Sequence, residues 1–369
     1  MVDVPQKAKA AVLVEFGKPL EIREVPIPEL EPRAILVKIQ MAGICGSDIH
    51  EWHGRGGFLA QLPTIMGHET VGHIVKLGEG RDKDCAGELL KIGDRILWAH
   101  ADCGYCYWCL LEHEPTLCAN RRYYGVTSCE SYPYLTGGFA EYSYVLPKSE
   151  VVKVPDEVTT EEVVGVGCAF RSVVHAYERL GCLKPQDNVV IQGAGPIGLY
   201  SLLFARENGA GRIIVIGAPK ERLELAKRWG ADHVINLDET IDPSDRLKKV
   251  QELTRGMGPD VVVEATGVPD AFNQGLEMIR RGGRYLIIGQ TSTSTIPIMP
   301  AMILFKQIDI VGSLSADISH YYTAIQFIRN NRHKYPLADI ITNKYSLEQV
   351  NEALHAMESG TVTKPVIVP

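Results

Sequence analysis

The chain has 369 residues, of which 45% are hydrophobic and 22% are charged, and its formal net charge is −7. This length exceeds what one hydrophobic core usually supports, so we expect two domains. The acidic balance and the lack of any basic run argue against nucleic acid or an anionic membrane as a partner.

The sequence also shows no targeting or membrane-spanning pattern. The N-terminal residues lack the apolar stretch of a secretory signal, and no window of about 20 apolar residues occurs anywhere in the chain. We therefore expect a cytoplasmic protein whose cysteines stay reduced.

Short apolar runs separated by glycine- and proline-rich loops fill the chain up to Pro155. Such spacing predicts a β-rich, partly barrel-like domain. Strands are predicted at residues 10–15, 34–40, 71–77, 95–99 and 139–145.

Strand-like and helix-like stretches alternate after Pro155. Strongly apolar strands in such alternation are typical of a parallel sheet that is covered by helices on both faces. Helices are predicted at residues 161–180, with a break at Gly165 and Gly167, and at residues 196–208, 220–229, 244–255 and 270–280. Strands are predicted at residues 188–192, 212–216, 233–236, 260–264, 284–288 and 308–312.

The last stretch returns to the style of the first, with a helix predicted at 346–359 and a strand at 364–368. We expect it to pack back onto the first domain. The predicted domains are therefore 1–167 together with 309–369, and 168–308 as an α/β insertion.

Four closely spaced cysteines, Cys103, Cys106, Cys109 and Cys118, form the first chemical signal. Four thiolates can surround one Zn²⁺ tetrahedrally, which leaves no open position for chemistry. The spacing therefore indicates a structural zinc in a lobe over about residues 100–120.

A second possible metal site combines Cys45, His68 and Cys168. Three protein ligands leave a fourth position for water or substrate, as a catalytic zinc requires. An oxygen ligand in that position would have a lowered pKa. Glu69 adjoins this set and could lie beside the metal or replace its water.

Three residues near Cys45 could serve the same site. Asp48 could orient His68 through the ring nitrogen that does not bind metal. Ser47 could accept a proton from an alcohol, and His50 could pass that proton to solvent.

A glycine-rich turn follows the predicted strand at 188–192 and opens a helix, which is the context that a dinucleotide fingerprint requires. Gly193 would permit the tight turn, Gly195 would let the backbone approach pyrophosphate, and Gly198 would allow close contact of helix and strand. The helix that starts with Pro196 and Ile197 would present free N–H groups to the phosphates.

The residue at the end of the second predicted strand of the α/β domain is Gly217, where NAD-binding proteins usually carry an acid. A 2′-phosphate would meet no repulsion there, and Lys220 and Arg222 could reach it. The sequence therefore predicts NAD or NADP as cofactor and slightly favours NADP.

Taken together, these motifs resemble the zinc-dependent medium-chain alcohol dehydrogenase family over essentially the whole chain. The resemblance implies an α/β protein with a GroES-like catalytic domain and a doubly wound Rossmann domain of strand order 3-2-1-4-5-6. It also implies an active-site cleft between the two and a homodimer or homotetramer. The residues that carry it are Cys45-Gly46-Ser47-Asp48 with His50, Gly67-His68-Glu69, the four lobe cysteines, Cys168, the glycine turn and Lys364-Pro365.

The resemblance also implies roles for single residues. It assigns the catalytic zinc to Cys45, His68 and Cys168 with Glu69 beside them, and it makes Ser47 and His50 the proton relay. We expect Ser172 near the nicotinamide and Thr266 among the cofactor contacts.

The sequence departs from the family pattern at several points. Eight residues rather than the common seven separate Cys109 from Cys118, and Gly217 replaces the usual acid. Arg171 stands where a small residue is common, and it could contact an anionic substrate group or the cofactor, or form a structural ion pair. Residues that could border the cleft are Trp52, His53, Arg55, Phe58, Tyr123, Tyr124 and Arg171.

The predicted function is reversible oxidation of an alcohol, secondary, cyclic or polyol, to a ketone or aldehyde, with two zincs per chain and NAD(P). The alternatives are a zinc-independent quinone or enoyl reductase and a non-catalytic NADP-binding protein of the same fold. The metal-type residues argue against the first alternative, and the Ser47–His50 relay argues against the second.

Overall fold

A computed structural model describes residues 4–55, 60–289 and 295–369, so Phe58 lies outside the described residues. The chain folds into two compact units, Met1–Arg171 with Ser315–Pro369, and Ser172–Leu314. Both divisions fall a few residues after the domain boundaries that the sequence predicts. Compactness alone does not define an independently folding domain, and those boundaries stay predictions.

The first stretch of the chain is built mainly of strands. The strands are β1 (Lys7–Leu13), β2 (Glu21–Pro26), β3 (Ile35–Gly43), β4 (Thr64–Ile65), β5 (Glu69–Leu77), β6 (Arg95–Trp98), β7 (Tyr142–Val145) and β8 (Val151–Lys153). The helices are α1 (Gly46–Trp52), α2 (Tyr107–Leu110), α3 (Thr160–Val163) and α4 (Ala169–Leu180), with 3-10 turns at Pro115–Leu117 and Val164–Gly167.

The helical stretch predicted at 161–180 is interrupted at the predicted glycines, Gly165 and Gly167, which lie in a 3-10 turn over Val164–Gly167. A capping box of Thr159 and Glu162 starts α3, a 3-10 turn follows, and α4 begins only at Ala169. The break lies where Gly167 packs against the first residue of β5, since a Cβ on Gly167 would stand 2.8 Å from the Cα of Glu69. Close packing of this kind overrides helix propensity.

The second unit holds a six-stranded parallel sheet. Its strands are β9 (Asn188–Gln192), β10 (Arg212–Gly217), β11 (His233–Asn236), β12 (Val261–Glu264), β13 (Arg284–Ile287) and β14 (Asp309–Gly312). Its further helices are α5 (Pro196–Glu207), α6 (Lys220–Arg228), α7 (Pro243–Leu253), α8 (Pro269–Met278) and α9 (Pro300–Lys306). The spatial order β11-β10-β9-β12-β13-β14 confirms the predicted doubly wound order 3-2-1-4-5-6.

The final stretch belongs to the first unit. It contains α10 (Ile318–Asn331), β15 (Asn343–Tyr345), α11 (Val350–Glu358) and β16 (Pro365–Ile367), with 3-10 turns at Leu337–Ile340 and Leu347–Gln349. Because β16 pairs antiparallel with β3, the end of the chain joins the sheet of the first stretch.

Two sheets organise the first unit. One has the order β2-β1-β4, and the other has the order β15-β16-β3-β5-β6-β8 with β7 paired to β3. The register of β3 with β5 sets Gly43 opposite Glu69. The segment that leaves β3 and the segment that enters β5 therefore lie side by side, and each carries a predicted metal ligand.

Each unit has its own apolar core of buried aliphatic and aromatic side chains. In the described part of the chain, no helix combines the length and the apolar character that crossing a membrane would need.

Candidate active site

Cys45, His68 and Cys168 converge in the first unit. Their ligand atoms all lie within 4.8 Å of one another, and the two sulfurs are 3.9 Å apart. Tetrahedral zinc with Zn–S bonds of about 2.3 Å would set two sulfurs about 3.8 Å apart. The donor set and its spacing therefore fit a zinc ion, and we call these three residues the three-residue cluster.

Local structure explains how the three-residue cluster is assembled. Cys45 follows β3 and is the N-cap of α1, and His68 directly precedes β5. The pairing of β3 with β5 brings these two together. Cys168 stands between the 3-10 turn and α4, where the backbone of Gly167 packs on Glu69.

Asp48 connects two members of the cluster. One carboxylate oxygen, Oδ2, accepts a hydrogen bond from the Cys45 amide at 2.7 Å, and Oδ1 lies 3.2 Å from Nδ1 of His68. Asp48 is fully buried. With Nδ1 engaged, the Nε2 atom of His68 is the one left for a metal, which is the usual arrangement of a ligating histidine.

The surroundings of the cluster favour the charged forms of Cys45 and His68. Hydrogen bonding with the Cys168 thiol outweighs burial and lowers the pKa of Cys45. Burial opposes a charged His68, but Asp48 and the Cys168 sulfur outweigh it and raise the pKa of His68. Hydrogen bonding with Cys45, together with burial, raises the pKa of Cys168, so the pair of thiols readily gives up one proton, and the resulting thiolate is a ligand that a soft cation prefers.

Glu69 is not among the converging ligand atoms. Its Oε2 forms an ion pair with Nζ of Lys364, and both side chains are buried. Burial raises the pKa of Glu69 to about 7 despite the attraction of Lys364. Lys364 also donates to the Ile44 carbonyl at 3.3 Å. Lys364 stands out in the sequence only as part of a motif, because its partner lies almost 300 residues away.

The two residues of the predicted relay lie on α1. Ser47 Oγ lies 3.4 Å from Nε2 of His68, so its hydroxyl borders the cluster. His50 is one helical turn further along and is half-buried. Residues three apart on a helix share a face. Glu51, also on α1, is a buried carboxyl that no sequence motif singles out.

The four lobe cysteines also converge. Their sulfurs lie within 4.8 Å of one another, with 4.0 Å between those of Cys103 and Cys109 and 3.5 Å between those of Cys106 and Cys109. These separations fit one tetrahedral zinc, as the sequence predicts.

Arg171 points into the first unit rather than toward solvent, and the residue is 2% exposed. Its Nε donates to the Gly167 carbonyl at 2.8 Å, and its Nη1 donates to Ser315 Oγ at 3.0 Å. The guanidinium stacks 5.0 Å from the ring centroid of Tyr321. His100 lies beside it, and burial together with Arg171 lowers the pKa of His100.

The glycine turn of the second unit has the space that a phosphate needs. Gly193 has φ of 110°, and a Cβ there would stand 2.8 Å from the Ala265 carbonyl oxygen. A Cβ on Gly198 would collide with the Gly193 carbonyl, whereas a Cβ on Gly195, the N-cap of α5, would meet nothing within 4 Å. The turn therefore leaves an open approach at the N-terminus of α5, which suits an anionic pyrophosphate.

Packing explains why Gly217 carries no side chain. A Cβ on Gly217 would stand 2.7 Å from the Cβ of Ala194. At the start of α6, Lys220 is exposed and Arg222 is half-buried. Thr266 lies in a turn in which its Oγ1 donates to the buried Glu264 at 2.6 Å, and Ser172, the first residue of the second unit, is buried.

Comparison with known proteins identifies the class to which this fold and these sites belong. The family model described as the alcohol dehydrogenase GroES-like domain matches residues 31–156, and the one described as zinc-binding dehydrogenase matches residues 196–330. A 5-exo-hydroxycamphor dehydrogenase from Pseudomonas putida is 36% identical over 98% of this chain and 99% of its own length. The chain therefore belongs to the zinc-dependent medium-chain alcohol dehydrogenase family.

Solved structures agree with this assignment. An alcohol dehydrogenase from Thermotoga maritima superposes with a TM-score of 0.92 at 36% identity, covering 98% of this chain and 99% of that one. A protein from Sinorhizobium meliloti, solved bound to NADP, superposes with a TM-score of 0.84 at 26% identity and covers 99% of this chain and all of that one. The family relationship extends over both units.

Proposed function

We propose that this protein reversibly oxidises an alcohol to a ketone or aldehyde, with zinc and with hydride transfer to NAD(P). The observation that carries the proposal is the convergence of Cys45, His68 and Cys168 beside the hydroxyl of Ser47. A zinc-independent quinone or enoyl reductase would have no use for such a cluster, and a non-catalytic NADP-binding protein would have no use for the relay.

We assign residues to two metal sites and a role to each of the two units. Cys45, His68 and Cys168 would hold the catalytic zinc, and Cys103, Cys106, Cys109 and Cys118 would hold the structural zinc. The first unit would be the catalytic domain, and the second would bind the cofactor. When bound, the catalytic zinc would act as a Lewis acid on the substrate oxygen, and the nicotinamide would accept the hydride.

Side chains of the protein would transfer the substrate proton to solvent. Ser47 Oγ would accept the proton of the substrate hydroxyl and donate its own toward His50, one turn along the same helix face. His50 is half-buried and would release the proton to solvent. Asp48 would hold the His68 ring in one orientation through Nδ1, so that the other ring nitrogen keeps its place.

Glu69 would have a supporting role. Glu69 directly follows His68 in the sequence. Its buried ion pair with Lys364 holds its carboxylate away from the converging ligand atoms. We therefore assign Glu69 to the surroundings of the metal.

The cofactor assignment follows from the second unit. Gly193, Gly195 and Gly198, with Pro196 and Ile197, would receive the pyrophosphate at the N-terminus of α5. Gly217 would not repel a 2′-phosphate, and Lys220 and Arg222 would attract it, so NADP is slightly favoured over NAD. Ser172 and Thr266 would complete the cofactor contacts.

The substrate class follows from the relatives. The Pseudomonas putida relative is named for a hydroxycamphor, which is a cyclic secondary alcohol. We propose a secondary, cyclic or polyol alcohol here, processed by a homodimer or homotetramer. The buried position of Arg171 argues against a role in holding an anionic substrate.

A panel assay tests the proposal. Zinc-loaded protein is mixed with secondary, cyclic, polyol and anionic alcohols, with NAD⁺ and NADP⁺ in parallel, and the near-ultraviolet absorbance of the reduced nicotinamide is followed. Reduction of one cofactor by one alcohol class is the expected result. Tight cofactor binding without turnover of any alcohol or carbonyl would favour a non-catalytic role.

A further inference from the structure

The four-cysteine lobe is closed at its base by two pairs of residues that flank it. Ala101 and Arg122 exchange backbone hydrogen bonds of 3.1 and 2.8 Å, and Nε of Arg121 lies 3.0 Å from Oδ1 of Asp102. The Arg121 side chain has no exposed area. The base of the lobe is therefore an ion pair between the buried Arg121 and the partly exposed Asp102, and separating the two would leave the buried guanidinium without this partner.

Arg121 does more than close the lobe. Its Nη1 donates to Ser315 Oγ at 3.3 Å, and its Nη2 donates to the Ala316 carbonyl at 2.6 Å. Ser315 is the first residue of the final stretch of the first unit and has a positive φ of 60°. Such a conformation persists in a non-glycine residue when its surroundings hold it in place.

Arg171 holds the same serine from the other side. Its Nη1 donates to Ser315 Oγ at 3.0 Å, so one hydroxyl accepts from two buried guanidinium groups. Its Nε donates to the Gly167 carbonyl at 2.8 Å. Tyr321 stacks on this guanidinium, and its hydroxyl donates to the same carbonyl at 3.3 Å.

The Gly167 carbonyl belongs to the peptide that leads into Cys168. Gly167 has backbone against it on its other side, since a Cβ there would stand 2.8 Å from the Cα of Glu69. Cys168 itself has φ −142° and ψ −68°, outside the regular regions. The direction of its side chain therefore depends on how firmly this peptide is held.

We propose that Arg121 and Arg171 are positioning residues that couple the four-cysteine lobe to the three-residue cluster, through Ser315 and the Gly167 carbonyl. This inference rests on the proposed function, because it assumes a metal at Cys45, His68 and Cys168. When the lobe loses its metal, the Asp102–Arg121 pair loosens. The two arginines then no longer share Ser315, and the peptide before Cys168 gains conformational freedom.

The coupling needs arginine rather than any cation. A guanidinium donates in several fixed directions within one plane, so Arg171 can reach Gly167 and Ser315 together, whereas a lysine ammonium is a compact point charge on a flexible stem. Replacement of Arg171 by lysine keeps the positive charge and removes the bridge between Gly167 and Ser315. It therefore distinguishes a coupling that needs the guanidinium geometry from one that needs only a buried charge.

The test measures metal affinity at the cluster with Co²⁺, whose visible absorption reports its donor set. Cobalt is titrated into the full-length, metal-stripped protein, and the spectrum of Cys45→Ser is subtracted to isolate the three-residue cluster. The variants are Cys106→Ala, Arg171→Gln, Arg171→Lys and the double variant Cys106→Ala/Arg171→Gln. Arg81→Gln is the matched control, because Arg81 is also buried in the first unit and donates to the Ser149 carbonyl.

We expect Cys106→Ala and Arg171→Gln each to weaken cobalt binding at the cluster by about 10-fold or more, the range for groups that support metal ligands. We also expect both variants to change the sulfur-to-cobalt band. The double variant should lose little more than either single variant, and Arg171→Lys should resemble Arg171→Gln. Arg81→Gln should lower stability and leave cobalt affinity unchanged.

Several outcomes would overturn the coupling. Additive losses in the double variant, wild-type behaviour of Arg171→Lys, or equal losses in Arg81→Gln would each do so. If Cys106→Ala does not fold, Arg121→Lys keeps every cysteine and must give the same spectral change. Binding of only one cobalt per wild-type chain, unaffected by Cys45→Ser, would instead refute the proposed function and the coupling with it.

Discussion

The Asp48 carboxylate lies between two members of the three-residue cluster: its Oδ1 is 3.2 Å from His68 Nδ1, and its Oδ2 accepts from the Cys45 amide at 2.7 Å. One buried side chain thus caps α1 and orients the histidine that faces it. The start of a short helix and the orientation of a candidate metal ligand are therefore coupled by a single residue.

Replacing Asp48 with asparagine tests this double role. Asp48 is the N3 residue of α1, and the side-chain oxygen of asparagine can still accept the hydrogen bond from the Cys45 amide in the capping box, so the folded structure should persist, but the negative charge facing His68 is lost. Zinc affinity of the cluster should fall about 10- to 100-fold, as measured by competition with a chromophoric chelator. Asp242→Asn, which changes the N-cap of α7, is the control and should retain normal zinc affinity.

The four-cysteine lobe is predicted to affect stability rather than substrate binding. Cys106→Ala removes one of four converging thiols, so the lobe should lose its metal and the melting temperature should fall by about 5–15 °C. At saturating zinc, KM for the substrate should stay nearly unchanged, because the lobe cysteines lie outside the three-residue cluster. A purely catalytic defect with an unaltered melting curve would contradict the structural role.

Cofactor choice can be tested on α6. Lys220→Ala should weaken NADP binding about tenfold, the worth of a charge-assisted hydrogen bond, and leave NAD binding nearly unchanged. Lys227→Ala is the matched control, because Lys227 lies on the same helix and pairs with the exposed Glu224 at 2.9 Å. Equal effects of Lys220→Ala on both cofactors, measured by fluorescence titration, would remove the basis for favouring NADP.

Glu51 gives the protein a dependence on pH. Burial, with a smaller contribution from Asp48, raises the pKa of Glu51 to about 8, whereas an unfolded glutamate has a pKa of about 4.3. Between these values the folded state binds a proton that the unfolded state has lost, so the free energy of unfolding falls as pH rises through this window. The loss is complete above the folded-state pKa.

Glu51→Gln should therefore flatten the pH dependence between about pH 5 and 8 and raise the melting temperature at the alkaline end. Thermal melts across this range measure it. Glu157→Gln is the control, because the pKa of Glu157 is lowered by backbone and Arg329 contacts, so its removal should not change the slope in this window. An unchanged slope in Glu51→Gln would mean that the carboxyl is ionised in the folded protein.

Periodic features made the second unit predictable from the sequence. Apolar runs such as Val189–Ile191 and Ile213–Ile216 mark buried parallel strands, and the glycine turn follows the first of them directly. The strand order was implied by the resemblance to the family, and the structure has that order. The first unit lacks this regularity, and β2, β4, β8 and β15 are not predicted from the sequence.

Helices were harder to predict where their sequences are short or unusual. The seven residues of α1 are too few for a periodic pattern, although α1 carries Ser47, Asp48 and His50. The 14 residues of α10 include several β-branched and aromatic side chains, which have modest helix propensity. Its N-cap Asp317 was a usable signal, since aspartate is among the strongest capping residues.

Contacts between distant parts of the chain had no sequence signal at all. The bond from Arg171 to Ser315 spans 144 residues, and the bond from Arg121 to Ser315 spans 194. The ion pair of Lys364 with Glu69 joins residues that are still farther apart in the sequence. Composition and spacing indicate which residues could bind a metal, whereas only the folded chain reveals which residues hold those ligands in place.

The central claim is that the three-residue cluster makes this protein an NAD(P)-dependent alcohol dehydrogenase. The most direct measurement compares wild-type protein with Cys45→Ala for nicotinamide reduction by the alcohol panel, with the zinc content and circular dichroism of both determined. Cys182→Ala is the control, because Cys182 is an exposed cysteine outside both metal-type clusters. We predict turnover in the wild type and in Cys182→Ala, and none in a folded Cys45→Ala that has lost one zinc. Normal turnover by zinc-depleted Cys45→Ala would contradict the account.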